Sequence, residues 1–225
     1  MTKGPAPAYK TPADGPTSVL TIGAFGAAVA DHLRLFGPIV LVDQPASELE
    51  ASDGGDRLAG GVNVIASWRP ETDLCDRYDR ISRLRGQPFI PVILDGRTLT
   101  VGPVLVPDGA ACWKCWLRRE QQHANFSNPR PAVHEAYSLD PSLGPRGFLD
   151  AFALMAAART AQAIRNITVD PNVAGWLWQL DLPTRAMTIG RVIGCDGCTR
   201  CGLDRPPALR TVEDMHRSID YLWRT

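Results

Sequence analysis

Short apolar runs alternate with segments of helical periodicity over the first half of the chain. The runs that predict strands are residues 18–22, 39–42 and 62–67. Apolar residues recur at helical spacing from Ala27 to Phe36, and residues 72–85 carry a second helical pattern that ends at Gly86. This alternation of strand and helix predicts the opening of a parallel, doubly wound sheet.

The second half of the chain predicts antiparallel hairpins. Its apolar runs are residues 89–94, 98–106, 176–182 and 186–193. Asp95-Gly96 separates the first two runs, and this dipeptide is a strong hairpin signal. Pro183-Thr184 separates the last two runs in the same way. The sheet is therefore expected to change from parallel to antiparallel pairing along the chain.

The same patterns divide the chain into three parts. Residues 1–17 are rich in proline and lack periodicity, which is typical of a flexible lead-in. Residues 18–203 predict one Rossmann-like α/β domain, in which 107–146 are mostly irregular and 147–166 form a buried apolar helix. Residues 204–225 predict a helical extension.

Composition and charge exclude several classes of protein. The chain has 24 Lys and Arg against 24 Asp and Glu, so its net charge is zero and no nucleic-acid partner is expected. No apolar stretch reaches the roughly 18 residues that a membrane-spanning helix needs, so no membrane association is expected. The N-terminus also lacks the apolar segment of a secretion signal. A globular protein of the cytoplasm is the expectation.

Two C-x-x-C motifs are the strongest chemical signal in the sequence. Cys112 and Cys115 form the first, and Cys198 and Cys201 form the second. Each motif points two thiolates to one side, and four thiolates fill the tetrahedral shell that zinc prefers, which leaves no position for water. The alternative is a thioredoxin-like redox pair, but one redox pair would not need a second motif. We therefore predict a structural zinc site.

The other cysteines and the acid–base residues give weaker signals. Cys195 is expected to be a passive neighbour of the metal, and Cys75 to be a core residue on an apolar helix face. Histidines and carboxylates show no spacing typical of a general acid and base. No catalytic side chain is predicted.

A short glycine-containing turn follows the first predicted strand. Gly23-x-x-Gly26 precedes a helix, where backbone N–H groups could face a phosphate, and Asp43 ends the next strand, where an acidic residue could hold a ribose. Phe25 and Ala28 occupy later positions of the G-x-G-x-x-G fingerprint, so the motif is incomplete. The alternative is that these residues only shape the turn.

The order of these features resembles the ThiF/MoeB-like family of ubiquitin-like-protein activating enzymes. More narrowly, it is similar to the ThiF-like partner proteins of YcaO-type cyclodehydratases, which install thiazoles and oxazoles on ribosomally made peptides. The paired C-x-x-C motifs and the run Gly-Pro-Val-Leu-Val-Pro at residues 102–107 carry the resemblance, which spans roughly residues 18–203.

The resemblance also indicates where this sequence departs from active family members. Those enzymes follow the acidic strand end with an Asn/Arg/Gln-containing stretch and a lysine that contact ATP and its metal. Here residues 44–85 contain no lysine, and Arg57 is the basic residue of the following loop. Because adenylyl transfer depends on positioned positive charge, the site at Gly23, Gly26 and Asp43 is interpreted as degenerate, with ATP not expected as a cofactor.

The partners implied by the resemblance are a YcaO-type cyclodehydratase and its precursor peptide, with pairing of two copies about a two-fold axis compatible with the family. About seventeen residues precede the first predicted strand, which is too few for the winged-helix clamp that often binds the leader peptide. Two alternatives stay open: an adenylating enzyme for a peptide or carrier-protein C-terminus, and a zinc-stabilised oligomerisation module.

Overall fold

The computed structural model describes residues 15–42, 61–107, 109, 111–123, 130–140, 143, 147–170 and 172–202. In this part of the chain, one mixed sheet carries helices on both faces. None of the helices there has the length and apolar character needed to cross a membrane. The predictions for Asp43, for most of the lead-in and for the C-terminal extension lie outside the described residues.

The sheet is parallel in its first half and antiparallel in its second. Its described strands are β1 (Thr17–Ile22), β2 (Ile39–Leu41), β3 (Asn63–Ser67), β4 (Phe89–Asp95), β5 (Thr98–Val101), β6 (Trp176–Asp181) and β7 (Met187–Arg191). They lie in the order β2-β1-β3-β4-β5-β6-β7. Pairing is parallel from β2 to β4 and antiparallel from β4 to β7. The predicted α/β fold class is confirmed.

Helices cover the two faces of this sheet. The described helices are α1 (Gly23–Leu33), α2 (Thr72–Leu84), α3 (Trp113–His123), α4 (Arg130–Leu139) and α5 (Asp150–Val169). Helices α3 and α4 show that the prediction of mostly irregular structure at residues 107–146 is wrong. Pro131 lies in the first turn of α4, where the missing N–H of proline breaks no helical hydrogen bond, so this proline does not exclude a helix.

Helix α5 corresponds to the apolar helix predicted at residues 147–166. Ala153, Ala156 and Ala157 are fully buried, and α5 packs chiefly on α1. Leu154 and Val169 are 42% and 76% exposed. The prediction of a buried helix is therefore correct for one face only.

Alternation along the strands divides the core into two parts. Val64 and Ala66 of β3 belong to the part formed with α1 and α5, whereas Ile65 belongs to the part formed with α2 and α3. The second part also contains most of the cysteines. The candidate metal ligands therefore lie on the α2 and α3 face of the sheet.

The chain leaves β5 at Gly102, whose φ of 95° is in the region that favours glycine. The N–H of Val104 donates to the carbonyl of Trp176, and Leu105 exchanges backbone hydrogen bonds with Phe89 of β4. The predicted strand at 98–106 is thus interrupted after Val101. These bonds fix the backbone that leads to the first cysteine pair.

Candidate metal centre

The four cysteines of the C-x-x-C motifs come from two distant turns. The first knuckle, residues 112–115, forms the start of α3, and the N–H of Cys115 donates to the carbonyl of Cys112 at 3.0 Å. The second knuckle, residues 198–201, follows β7 in a turn closed by a bond from the N–H of Gly202 to the carbonyl of Cys198 at 2.7 Å. A Cβ atom at Gly202 would lie 2.3 Å from the backbone nitrogen of Cys198, so the turn requires glycine there.

The structure brings the four sulfur atoms within 4.8 Å of one another. The Sγ atom of Cys112 lies 3.7 Å from that of Cys115 and 3.6 Å from that of Cys198, and the Sγ atoms of Cys115 and Cys201 are 3.4 Å apart. A tetrahedral zinc ion with Zn–S bonds of about 2.3 Å places its sulfur ligands about 3.8 Å apart. The donor set therefore fits a metal ion, and zinc stays a prediction.

The thiols of the cluster strongly affect one another's ionisation. Hydrogen bonds from the thiols of Cys112 and Cys201 hold the pKa of the Cys115 thiol well below its usual range. The hydrogen bond with Cys115, together with that to Cys201 and burial, raises the pKa of Cys112 far above its usual range. Since packed thiolates repel one another, ionisation of all four would need the positive charge of a metal.

The two remaining cysteines are buried beside this cluster or behind it. The N–H of Cys195 donates to the Sγ atom of Cys115 at 3.2 Å, while the Cys195 thiol lies 3.8 Å from the carbonyl oxygen of Cys115. Cys75 is fully buried in the second part of the core, as predicted, and burial raises the pKa of its thiol. Cys195 supports the cluster through its backbone.

A network of charged side chains on α2 contacts both knuckles. Asp79 is 1% exposed, and its Oδ2 atom accepts bonds from the N–H of Trp113 at 3.2 Å and from Nη1 of Arg200 at 3.0 Å. Its Oδ1 atom accepts a bond from Nε of Arg83 at 3.1 Å. Asp79 gives no signal in the sequence, because α2 has so many charged residues that a single aspartate looks like part of a solvated face.

The glycine turn predicted from the sequence lies at the carboxyl end of the parallel strands. Gly23 has a φ of 70° and begins α1, and the side chain of Trp68, which follows β3, packs against it. A Cβ atom at Gly23 would lie 2.1 Å from Cδ1 of Trp68. At Gly26, a Cβ atom would lie 2.2 Å from the carbonyl oxygen of Ala66, so this glycine allows α1 to approach β3 closely.

Trp68 belongs to a small aromatic cluster at this end of the sheet. Its ring centroid lies 6.0 Å from that of Tyr137 on α4, and the guanidinium carbon of Arg69 lies 5.2 Å from the Trp68 centroid and 6.0 Å from that of Tyr137. Arg69 also donates to a carboxylate oxygen of Glu71 at 2.6 Å. In open α/β sheets, ligands bind at the point where the strand order reverses, which here is between β1 and β3. Trp68 lies at this point, and it could not be predicted because a lone tryptophan after a strand gives no signal in the sequence.

The fold and the four thiols define a class: an α/β protein with a Rossmann-like sheet and a candidate metal site between distant turns. No protein-family model matches the chain, and no curated protein matches it. Solved structures do share its fold.

The structure of the heterocyclase TruD superposes with a TM-score of 0.59 at 19% identity, covering 83% of this chain and 27% of that one. The Escherichia coli microcin synthetase McbBCD complex gives 0.60 at 13% identity, covering 88% and 71%. E. coli MccB crystallised with AMPCPP and MccA gives 0.57 at 15% identity, covering 87% and 68%. The chain spans about a quarter of the TruD chain. At these identities the similarity establishes the fold.

Proposed function

We propose that this chain is a ThiF-like, non-catalytic accessory protein that presents a precursor peptide to a YcaO-type cyclodehydratase. The modified product would be a ribosomal peptide that carries azoles or azolines. Support comes from the fold, which is similar to that of a heterocyclase and of a microcin synthetase complex. The C-x-x-C motifs and the run before them are the sequence features of the same resemblance.

The packing of Trp68 on Gly23 is the observation that supports a non-catalytic role. An adenylating enzyme must bring phosphates to the backbone N–H groups at the start of the first helix and neutralise them with cations. Here the indole of Trp68 lies against that turn, and the nearby Arg69 is engaged with Glu71 and two aromatic rings. Both features oppose the binding of a nucleotide at the degenerate site.

The proposed metal is one structural zinc ion held by Cys112, Cys115, Cys198 and Cys201. Four thiolate ligands would saturate its shell, so the ion would contribute stability rather than activate water. It would join the turn before α3 to the turn after β7, and thereby close a long loop of the chain. Cysteines that form no disulfide fit the reducing cytoplasm, which we propose as the location.

Pyrophosphate exchange tests this proposal against the adenylating enzyme, which is favoured by the likeness to MccB crystallised with AMPCPP. The purified chain, mixed with ATP, labelled pyrophosphate and a precursor peptide, should give no exchange above a protein-free control. Calorimetry should detect at most weak ATP binding. Exchange would establish the adenylating enzyme instead, and micromolar ATP binding that Asp43→Ala abolishes would favour that enzyme over the accessory protein.

A further inference from the structure

We propose that Asp79 is a positioning residue that holds the two knuckles together for metal binding. The proposal rests on the metal site proposed above and adds a residue outside the cysteine motifs to it. A single carboxylate oxygen, Oδ2 of Asp79, accepts hydrogen bonds from the interior of both knuckles, through Trp113 and Arg200. These two residues stand between the cysteines of their own motifs.

The first knuckle is attached to α2 at several points. The backbone N–H of Trp113 donates to Asp79, and the indole Nε1 donates to the carbonyl of Thr72 at 3.1 Å. Arg83, which is bound to the other oxygen of Asp79, donates from Nη1 to the carbonyl of Pro107 at 2.6 Å and from Nη2 to that of Ala111. The backbone that leads to Cys112 is therefore held through Asp79 and Arg83.

The second knuckle is attached through one side chain. Arg200 donates from Nη1 to Oδ2 of Asp79 at 3.0 Å. It also forms a bidentate salt bridge with the Asp76 carboxylate, with both N–O distances at 2.7 Å. The Arg200 side chain is only 13% exposed. A guanidinium in this geometry fixes direction as well as distance, because its donors form a rigid fork.

These contacts lower the loss of chain entropy that accompanies formation of the metal site. The knuckles are far apart in sequence, so forming the site in a loose chain would require closure of a long loop. Because Asp79 bonds both knuckles, folding of α2 against them already brings the two segments together, and metal binding then requires a smaller loss of chain entropy. Groups that hydrogen-bond to metal ligands typically change metal affinity about 10- to 100-fold when substituted. We expect the same range for Asp79, which bonds the residues next to the ligands Cys112 and Cys201.

Zinc competition with a chromophoric chelator, on the full chain, tests the role of Asp79. Asp79→Asn keeps the shape of the side chain and removes its charge. We expect zinc affinity to fall about 10- to 100-fold and zinc release to accelerate, with about one zinc per chain retained at saturating metal. Asp73→Asn, at an exposed position of the same helix, is the matched control and should leave both quantities unchanged.

Three further measurements separate positioning from a general loss of stability. Arg200→Lys keeps the positive charge but loses the planar guanidinium, and it should lower zinc affinity less than Asp79→Asn does. Arg77→Gln, at an exposed position of α2, should leave zinc affinity unchanged. Gly26→Ala strains the opposite face of the sheet and should leave the zinc affinity of the folded protein unchanged. Cobalt-loaded Asp79→Asn should keep the absorption of a tetrahedral thiolate site, because Asp79 is not a ligand.

The outcomes also separate this proposal from the metal site itself. If the wild-type chain binds zinc and Asp79→Asn binds and releases it as the wild type does, Asp79 is not a positioning residue and the metal site stands. An equal loss of affinity in Gly26→Ala would assign the effect to stability and overturn the proposal. If the wild-type chain binds neither zinc nor cobalt, the metal site and the role of Asp79 are overturned together.

Discussion

Cys195 and Cys198 are three residues apart, yet their sulfur atoms have different neighbours. The Sγ atom of Cys198 lies 3.6 Å from that of Cys112 and belongs to the cluster of four thiols. The Cys195 thiol lies instead near the carbonyl oxygen of Cys115, and its contribution to the cluster comes from its backbone N–H. Substitution of the Cys198 side chain should therefore remove a metal ligand, whereas substitution of the Cys195 side chain should not.

We expect Cys198→Ser to lose the metal and a large part of the stability of the fold. Zinc content, measured by mass spectrometry after gel filtration, should fall from about one ion per chain to nearly none. The free energy of unfolding in urea should fall by roughly 2–5 kcal/mol, as on removal of a native disulfide, because the metal likewise joins distant segments of the chain. Cys195→Ser should keep its zinc; a loss equal to that of Cys198→Ser would mean that the four ligands have been assigned wrongly.

The residues that form the candidate centre differ in how far sequence could reveal them. The cysteine pairs are recognisable because each C-x-x-C spacing is local and chemically specific. Asp79 is not, because its role depends on two segments, around Trp113 and Arg200, that meet it only in the folded chain. Trp68 could not be predicted either, because its contact with Gly23 forms only when the ends of β1 and β3 lie side by side in the folded sheet.

At the level of whole elements, the close packing of α1 on β3 contributes to the stability of the fold independently of the metal site. A Cβ atom at Gly26 would lie 2.2 Å from the carbonyl oxygen of Ala66, and backbone atoms cannot move aside as a flexible side chain can. Gly26→Ala should therefore lower the free energy of unfolding by about 1–3 kcal/mol in urea titrations. Gly37→Ala, where a new Cβ atom meets nothing within 4 Å, is the control and should change it by less than about 0.5 kcal/mol. Equal effects at the two glycines would contradict a packing role for Gly26.

Element prediction succeeded where periodicity and turn signals agreed and failed where packing decided. The strands and the Asp95-Gly96 hairpin follow from apolar runs bounded by turn residues. Helix α3 could not be predicted in this way because its apolar residues all lie within its first five positions, and residues 118–123 are polar. Trp113 and Trp116 pack on each other there, with ring centroids 4.5 Å apart. Its position is fixed by the knuckle and by α2 rather than by its own apolar pattern.

For the molecule as a whole, the sheet divides the core into two parts, and the candidate metal centre belongs to one of them. The core on the α1 and α5 face holds the sheet, and the core on the α2 and α3 face holds the cysteines and the network around Asp79. An accessory protein needs a rigid surface more than a reactive group. A metal that joins distant segments on one face would supply such rigidity.

A protein without a predicted catalytic group can still be required for a reaction if it brings the substrate to the enzyme. An accessory protein that binds both peptide and cyclodehydratase raises the local peptide concentration, which in tethered complexes reaches about the millimolar range. In a reconstituted reaction, omission of this chain should therefore raise the apparent KM for the precursor peptide roughly ten-fold or more, with kcat at saturating peptide retained. Cys195→Ser should restore the low KM when added back. A fall in kcat at saturating peptide with KM unchanged would instead mean that the chain acts in the chemical step, and the non-catalytic role would have to be abandoned.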